Sequence, residues 1–221
     1  MTHSVSPLRL RSVVMLGTDT DVGKTYQACR LIGALAKSGI KVGAYKPVAS
    51  GVEEGVASDP ELLNSAAGGD WPPEWVCPQL FRAAVAPPVA AELEDAAVDD
   101  ALLFSGAAIW EKHCDFLVIE GAGGVLSPLS FHTTALDLAC RLATPVILVA
   151  ANRLGVVNHT RLSLEAAQQR GLEVKGVVLN SWKSNSAVTQ DRSITSNLRL
   201  LERFLGEIPL VDDAAKLEST L

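Results

Sequence analysis

Nine residues near the start of the chain, Gly17 to Thr25, constrain its fold more than any other segment. They follow an apolar run at 13–16, and after them apolar side chains recur at helical spacing until Gly39, namely Ala28, Leu31, Ile32 and Leu35. Such a run is typical of a buried strand, and such spacing is typical of a helix. The sequence therefore predicts a strand, a glycine-bearing loop and a helix in that order.

The loop has the composition of a phosphate-binding segment, Gly-Thr-Asp-Thr-Asp-Val-Gly-Lys-Thr. In such loops, backbone N–H groups point at phosphate oxygens, the lysine neutralises the terminal phosphates and the last hydroxyl binds Mg²⁺. Five residues rather than four separate Gly17 from Gly23, so Thr18 stands at the usual first glycine and the motif is a variant P-loop. We expect Lys24 to face solvent. A glycine-rich turn with an incidental lysine is the alternative.

The rest of the chain alternates between apolar runs and helical patterns. Further strands are predicted at 41–45, 116–119, 145–150, 174–179 and 207–210, and further helices at 99–113, 136–142, 160–170 and 194–205. Because the strand runs are continuously apolar, helices should cover both sides of the sheet. The prediction is an α/β fold of the P-loop NTPase type: a single-domain, doubly wound, mainly parallel sheet with helices on both faces.

Three segments fall outside this alternation. We assign residues 1–11 to an N-terminal extension and residues 211–221 to a C-terminal tail. The segment 51–75 is rich in glycine, serine, proline and acidic residues, with one short helical pattern that starts near Asp59. It is either an ordered insertion over the site or a mobile lid, and the pattern does not separate the two.

Composition narrows the functions open to this chain. With 221 residues, 48% of them hydrophobic, it is long enough for one sizeable core. A net charge of −6 without a basic stripe argues against nucleic acid or anionic membranes as partners. No apolar run has the length of a membrane span and residues 1–11 lack a secretory pattern, so we expect a soluble, cytoplasmic protein. The four cysteines lack metal or redox spacing, so we expect reduced thiols that serve packing.

Two more polar side chains are predicted at carboxyl ends of strands, where open α/β sheets bind their ligands. Glu120 follows an apolar run and precedes glycines, and a carboxylate there can hold Mg²⁺. The alternative is that Glu120 only caps a neighbouring helix. Lys46, after the second strand, can stabilise charge on a transferring phosphoryl group or bind a substrate anion. The alternative is an ordinary surface lysine.

Four motifs, taken in order, resemble those of the dethiobiotin synthetase family: Gly17 to Thr25, Tyr45 to Gly51, Glu120 to Gly124 and Leu154 to His159. The resemblance spans residues 12–210 and implies an enzyme that uses ATP, Mg²⁺ and CO₂ to close a ureido ring on 7,8-diaminopelargonate. In that family the diamine becomes a carbamate, and the γ-phosphoryl group activates it as a carbamic-phosphoric anhydride. The second amine then attacks with loss of phosphate.

The resemblance also implies roles for individual residues. Phosphoryl transfer would involve Lys24, Lys46 and Thr20, and Mg²⁺ would be bound by Thr25, Asp59 and Glu120. ATP would be bound by Thr18, Asp19, Asp21, Val22, Gly23, Lys24 and Thr25, with adenine enclosed by Asn180, Ile208 and Pro209. The substrate would be bound by Lys46, Ser50, Gly123, Leu154, Gly155, Val156, Val157 and Asn158. A simple helix cap is the alternative role for Asp59.

A further implication of the resemblance is a homodimer with shared active sites. The segment Leu154 to Asn158 would reach the neighbouring subunit's site and bind the substrate carboxylate there. We expect a helix to start at Asn158 to Thr160. The N–H groups and the positive dipole end of such a helix start would suit a carboxylate.

Three other functions are alternatives to this one. A switch ATPase of the ParA/MinD type carries a second lysine five residues before the catalytic lysine, where this chain has Asp19. An amidotransferase of the cobyrinic acid synthase type needs a glutaminase domain, for which 221 residues leave no room. A non-catalytic nucleotide-binding scaffold remains an alternative that product formation would exclude.

Overall fold

A parallel six-stranded sheet forms the centre of the computed structural model, which describes residues 8–53, 55–181 and 193–221. The strands are β1 (Arg11–Gly17), β2 (Val42–Tyr45), β3 (Phe116–Gly124), β4 (Val146–Ala151), β5 (Val174–Asn180) and β6 (Leu210–Val211). Their order across the sheet is β2-β3-β1-β4-β5-β6, and all of these neighbours pair in parallel. Because β1 lies between β3 and β4, the loop after β1 is at the point where the chain reverses direction across the sheet. Doubly wound sheets bind ligands at this point.

Helices surround the sheet. They are α1 (Lys24–Lys37), α2 (Asp59–Ala66), α3 (Pro73–Val76), α4 (Pro87–Glu92), α5 (Asp100–Ala108), α6 (Ala135–Leu142), α7 (Val156–Gln169) and α8 (Ser193–Leu205). Two 3₁₀ helices, Ile109–Lys112 and Ala214–Thr220, complete the described elements. The central strands are buried along most of their length, as expected when both faces are covered. The predicted α/β class, with a parallel sheet of P-loop NTPase type, is confirmed.

Three element boundaries differ from the predicted ones for identifiable reasons. Strand β3 continues past Ile119 because Gly124 pairs with Gly17 of β1 across a register irregularity. The helix predicted at 99–113 ends as α-helix at Ala108, and its last turn tightens into a 3₁₀ helix, which is common at helix C-termini. Helix α7 begins at Val156, directly after Gly155, and not near residue 160.

Other differences involve two short helices, the last strand and the C-terminal tail. Helices α3 and α4 were not predicted, because each begins with prolines, which suit the first turn of a helix but also signal turns. The last strand is Leu210–Val211 and does not begin at residue 207. Within the predicted C-terminal tail, the 3₁₀ helix buries Ala214 and Leu217 against the rest of the molecule.

Neither a membrane-spanning helix nor a cysteine bridge is found in the described parts of the chain. No helix there has the length and apolar character to cross a membrane. All four cysteines have free thiols, and Cys77 and Cys114 are buried. Burial raises the pKa of Cys77 to about 11, so its thiol stays protonated at neutral pH and behaves as a small apolar group.

Close packing behind β2 predicts a specific sensitivity to added volume. A Cβ atom at Gly43 would lie 2.8 Å from Cys114 Sγ and 2.9 Å from Trp110 Cζ3. We therefore expect Gly43→Ala to lower the free energy of unfolding by about 1–3 kcal/mol. A matched control is Gly33→Ala in α1, where the added Cβ meets nothing within 4 Å. The control should raise stability by roughly 0.5–1 kcal/mol through helix propensity. Urea unfolding measures both, and a Gly43→Ala protein as stable as wild type would contradict this packing.

Candidate active site

The carboxyl ends of β1, β2 and β3 meet at one edge of the sheet and border a cavity of about 920 Å³. The P-loop follows β1, Lys46 directly follows β2, and Glu120 lies within β3. The cavity wall includes most residues predicted to bind phosphate, metal or substrate, namely Thr20, Asp21, Gly23, Lys24, Thr25, Lys46, Ser50, Asp59, Glu120 and Gly123. The fold thus brings three separate sequence motifs and the α2 segment to one site.

Backbone geometry holds the P-loop in shape at both ends. At its start, the Thr18 N–H donates to the Val149 carbonyl of β4 at 2.9 Å. At its end, Gly23 has a φ of +89°, a left-handed conformation that favours glycine, and begins α1. A Cβ atom at Gly23 would also overlap the amide nitrogen of Asn180. Both constraints explain why a glycine directly precedes Lys24.

Lys24 does not face solvent, contrary to the prediction, but folds back over the P-loop. Its side chain is buried, with the residue 7% exposed, and Nζ donates to the Asp19 carbonyl at 3.2 Å. A Cβ atom at Gly17 would lie 2.8 Å from this Nζ, so the glycine leaves room for the ammonium group. Burial lowers the pKa of Lys24; the charge of Glu120 opposes this shift, and that of Lys46 adds to it. An anion beside Lys24 would favour its charged form.

Lys46 lies between two carboxylates. It is only 4% exposed, and its Nζ is 2.6 Å from Glu120 Oε1 and 2.6 Å from Asp59 Oδ2. Burial alone would lower the pKa of this ammonium group, but the two carboxylates outweigh burial and raise the pKa above its usual value. The alternative of an ordinary surface lysine is therefore wrong.

Glu120 lies deeper in the structure than a strand tip. It is 1% exposed and pairs with Met15 of β1 inside the sheet. Its Oε1 accepts hydrogen bonds from Thr25 Oγ1 at 2.9 Å and from Lys46 Nζ, which are side chains and not helix N–H groups. Capping of a neighbouring helix therefore does not explain Glu120. Its other oxygen, Oε2, is buried without a hydrogen-bond partner among the described residues.

Asp59 is the first residue of α2, and a different residue caps that helix. Ser58 is the N-cap, and its N–H donates to Glu61 Oε2 at 2.7 Å in a reciprocal capping box. The Asp59 carboxylate instead contacts Lys46. Partial burial tends to raise the pKa of Asp59, but Lys46 outweighs burial and lowers it, so the group is ionised at neutral pH. The cap alternative for Asp59 is excluded.

The segment after Lys46 is anchored to a later stretch of chain. The N–H groups of Lys46 and Ala49 donate to the carbonyls of Val76 and Gln79 at 2.7 and 2.9 Å. Ser50 Oγ donates to the Val85 carbonyl at 2.6 Å. These contacts position the part of the cavity wall that includes Ser50 beside the two lysines.

Asn180 lies against the P-loop with a residue that sequence analysis missed. Its Nδ2 donates to the Val22 carbonyl at 2.9 Å, and its Oδ1 accepts from Gln27 Nε2 at 3.0 Å. Gln27 stands four positions before Leu31 on the buried face of α1, and an amide on an apolar stripe was the available signal. The Pro209 carbonyl accepts a hydrogen bond from the N–H of Val177, which lies three residues before Asn180 in β5.

The segment Leu154 to Asn158 lies outside the cavity wall. Gly155 has a φ of +93° and is the N-cap of α7, so Asn158 is the third helical residue. The predicted helix start at Asn158 is therefore wrong. Leu154 is 80% exposed, and the preceding Arg153 pairs with Asp19 of the P-loop at 3.0 Å.

Comparison with known sequences identifies a matching family model and similar proteins. The family model described as an AAA domain matches residues 11–217. The ATP-dependent dethiobiotin synthetase BioD of Anaeromyxobacter dehalogenans (strain 2CP-C) is 40% identical over 201 residues, which cover 91% of this chain and 88% of that protein. The proteins of the same name from Rhodopirellula baltica and Akkermansia muciniphila are 38% and 34% identical. They cover 88% and 90% of this chain, and 80% and 92% of their own lengths are matched.

Solved structures with the same fold are more distant. Apo McdA from Cyanothece has a TM-score of 0.52 at 14% identity, with 96% of this chain and 91% of that chain covered. ParA of pNOB8 bound to nonspecific DNA has a TM-score of 0.52 at 11% identity, with 90% and 76% covered. These structures show the fold alone. The sequence relatives, in contrast, align with this chain over two thirds or more of their own length at 34% identity or above. The chain therefore belongs to the ATP-dependent dethiobiotin synthetase family.

Proposed function

We propose that this protein converts 7,8-diaminopelargonate, CO₂ and ATP into dethiobiotin, ADP and phosphate, in the cytoplasm and without a nucleic-acid or membrane partner. The observation that carries the proposal is the convergence of Lys24 and Lys46 on one cavity beside Glu120 and Asp59. Two cations at a P-loop suit a reaction in which negative charge moves between a nucleotide and an anionic substrate.

The proposed chemistry needs no nucleophile from the protein. One substrate amine adds to CO₂ and loses a proton, which gives a carbamate. A carbamate oxygen then takes the γ-phosphoryl group as its bond to ADP breaks. The second amine attacks the activated carbonyl carbon, the carbon–oxygen bond to phosphate breaks, and the ureido ring closes. Lys24, with Thr20 on the same cavity wall, faces the transferring phosphate, and Lys46 stabilises the carbamate side.

The residues present also fit Mg²⁺, which the proposal includes. The Thr25 hydroxyl and the carboxylates of Glu120 and Asp59 converge, and oxygen ligands of this kind suit a hard cation. The unpartnered Oε2 of Glu120 is further support, because a buried carboxylate oxygen without a partner is costly. Within the described residues no group of three or more His, Cys, Asp or Glu side chains could hold a metal. Phosphate oxygens of ATP would therefore complete the coordination, and Mg²⁺ would supply charge neutralisation there.

The proposed reaction is tested most simply by the coupling of ATP consumption to substrate. We expect ADP and dethiobiotin to form in equal amounts, only when diamine and bicarbonate are both present. Lys24→Ala is the matched control and should lose about 10³-fold in turnover, as removal of a charge stabiliser usually does. Rapid ATP hydrolysis that is indifferent to the diamine would instead favour a switch ATPase.

Because Lys46 lies where it neutralises both carboxylates, it should compete with a divalent cation for them. Lys46→Met should therefore tighten Mn²⁺ binding to the nucleotide-free protein by roughly fivefold or more, the effect of about 1 kcal/mol of charge interaction. Lys41→Met is the control, since Lys41 is exposed and contacts the Trp71 ring instead. Electron paramagnetic resonance of free Mn²⁺ measures both. Unchanged or weaker Mn²⁺ binding in Lys46→Met would mean that these carboxylates are not metal ligands.

We also propose a homodimer in which Leu154 to Asn158 of one subunit binds the substrate carboxylate in the other subunit's site. The exposure of Leu154 and the position of this segment outside its own cavity support an action in trans. The N–H groups and the positive dipole end at the start of α7 suit a carboxylate. In this proposal Asn180 contacts the adenine of ATP, and Ile208 and Pro209 lie on the other side of the ring.

Mixed dimers test the shared site. Asn158→Asp puts a negative charge in the first turn of α7, where the helix dipole tolerates it but a substrate carboxylate would be repelled. Neither Lys24→Ala nor Asn158→Asp alone should be active. Co-expression should restore about a quarter of wild-type activity, because roughly half the dimers are mixed and each has one intact site. Activity no higher than that of the single variants would contradict sharing.

A further inference from the structure

A buried amide next to the P-loop has no part in the proposed chemistry. Gln27 is 1% exposed, although glutamine is rarely found so deep in a core. Its amide makes three hydrogen bonds: Nε2 donates to Asn180 Oδ1 at 3.0 Å and to the Asp212 carbonyl at 3.3 Å, and Oε1 accepts from the Ala214 N–H at 2.8 Å. Gln27 therefore joins α1 to the end of β5 and to the C-terminal segment.

The direction of every hydrogen bond in this chain of contacts is determined. The Ala214 N–H can only donate, so the Gln27 atom that faces it is the oxygen, and Nε2 faces Asn180. Asn180 must then turn its oxygen to Gln27 and its nitrogen to the Val22 carbonyl, which can only accept. With backbone groups of opposite character at the two ends, neither amide can flip without losing partners.

This fixed orientation leaves Asn180 with one acceptor site and one donor site. Asn180 ends β5 at the carboxyl edge of the sheet, where α/β proteins bind ligands, and it touches Gly23 of the P-loop. A carboxamide with fixed oxygen and nitrogen matches the amino group and N7 of adenine, which present a donor and an acceptor side by side. A 6-oxopurine presents two acceptors there and would meet the Asn180 oxygen unfavourably.

We infer that Gln27 is a positioning residue that sets the nucleobase preference of the site. By holding the amide of Asn180 in one orientation, it makes the site favour a 6-aminopurine over a 6-oxopurine. The inference rests on the proposed use of ATP, and it concerns the base, not the phosphates.

A purely structural role for Gln27 would be to tie the C-terminal segment to α1. A second side chain makes that tie independently: Arg30 Nε donates to Asp213 Oδ2 at 3.0 Å, one helical turn after Gln27. Arg30 is exposed, and its hydrogen bonds in the described structure go to Asp213 and not to Asn180. Arg30→Met is therefore a matched control that weakens the tie without touching the Asn180 amide.

The experiment compares dissociation constants for ATP and ITP, which differ in the base only at the 6-position, in wild type, Gln27→Met and Arg30→Met. Wild type and Arg30→Met should prefer ATP by the same ratio. Gln27→Met, which keeps the side-chain volume but removes the hydrogen bonds, should reduce that ratio by about fivefold or more. Its turnover at saturating ATP should stay within about twofold of wild type, because the phosphates are held elsewhere.

Each outcome is decisive for one proposal. An unchanged ATP to ITP ratio in Gln27→Met, or an equal fall in Arg30→Met, overturns the positioning role. A wild type that binds ATP and ITP equally overturns it as well but leaves the ATP-dependent reaction standing. No nucleotide binding by wild type would instead contradict the proposed function. If Gln27→Met fails to fold, Gln27→Ala, which suits a helix interior, replaces it in the same comparison.

Discussion

The ion pair between Lys46 and Glu120 is the contact on which the rest of the site depends. Its Nζ and Oε1 atoms are 2.6 Å apart in a position almost closed to water. Taking two charges out of water costs several kcal/mol per ion, so a buried pair seldom adds net stability. Here it joins β2 to β3. The same pair also contacts α2, where Asp59 binds Lys46, and α1, where Thr25 donates to Glu120. We interpret this costly arrangement as preparation of charge for a reaction in which charge moves.

The two site lysines are prepared in opposite ways. Lys46 has carboxylates at hydrogen-bond distance, so its pKa is raised and it stays cationic across the neutral range. Lys24 is buried with the Asp19 carbonyl as its acceptor, and its pKa is lowered. The burial of Lys24 is less fully offset by neighbouring negative charge than that of Lys46. A bound phosphate would therefore stabilise the charged form of Lys24, the P-loop lysine, more than that of Lys46. The same fold carries very different proteins, so this local chemistry distinguishes the family better than the sheet does.

Sequence patterns could predict the sheet and the motifs that line its carboxyl edge, because hydrophobic periodicity and the spacing of glycine and lysine are local signals. They could not predict how deeply each side chain of the site is buried. Lys24 folds inward because Gly17 leaves room for it, and Glu120 is interior because it pairs with Met15 of β1 in a strand that continues to Gly124. Both facts depend on contacts made in the folded structure, which local sequence patterns do not reveal.

Helix starts show the same limit. The capping box at Ser58 was readable from Ser58 and Glu61, and it would have excluded the cap role for Asp59. The start of α7 behind Gly155 was hidden by valines, which are weak helix formers. Gln27 was visible as an amide on an apolar stripe, but its partners in β5 and the C-terminal segment were not.

In the proposed reaction, the γ-phosphoryl group of ATP moves to a carbamate oxygen between Lys24 and Lys46. The most direct measurement follows oxygen from ¹⁸O-labelled CO₂ or bicarbonate into the phosphate released during a single turnover with the diamine. We expect one labelled oxygen in each phosphate, because the carbon–oxygen bond of the activated carbamate breaks and the oxygen leaves with phosphorus. Phosphate without label, formed while ADP accumulates, would mean that the phosphoryl group is transferred to water and would rule out its transfer to the carbamate.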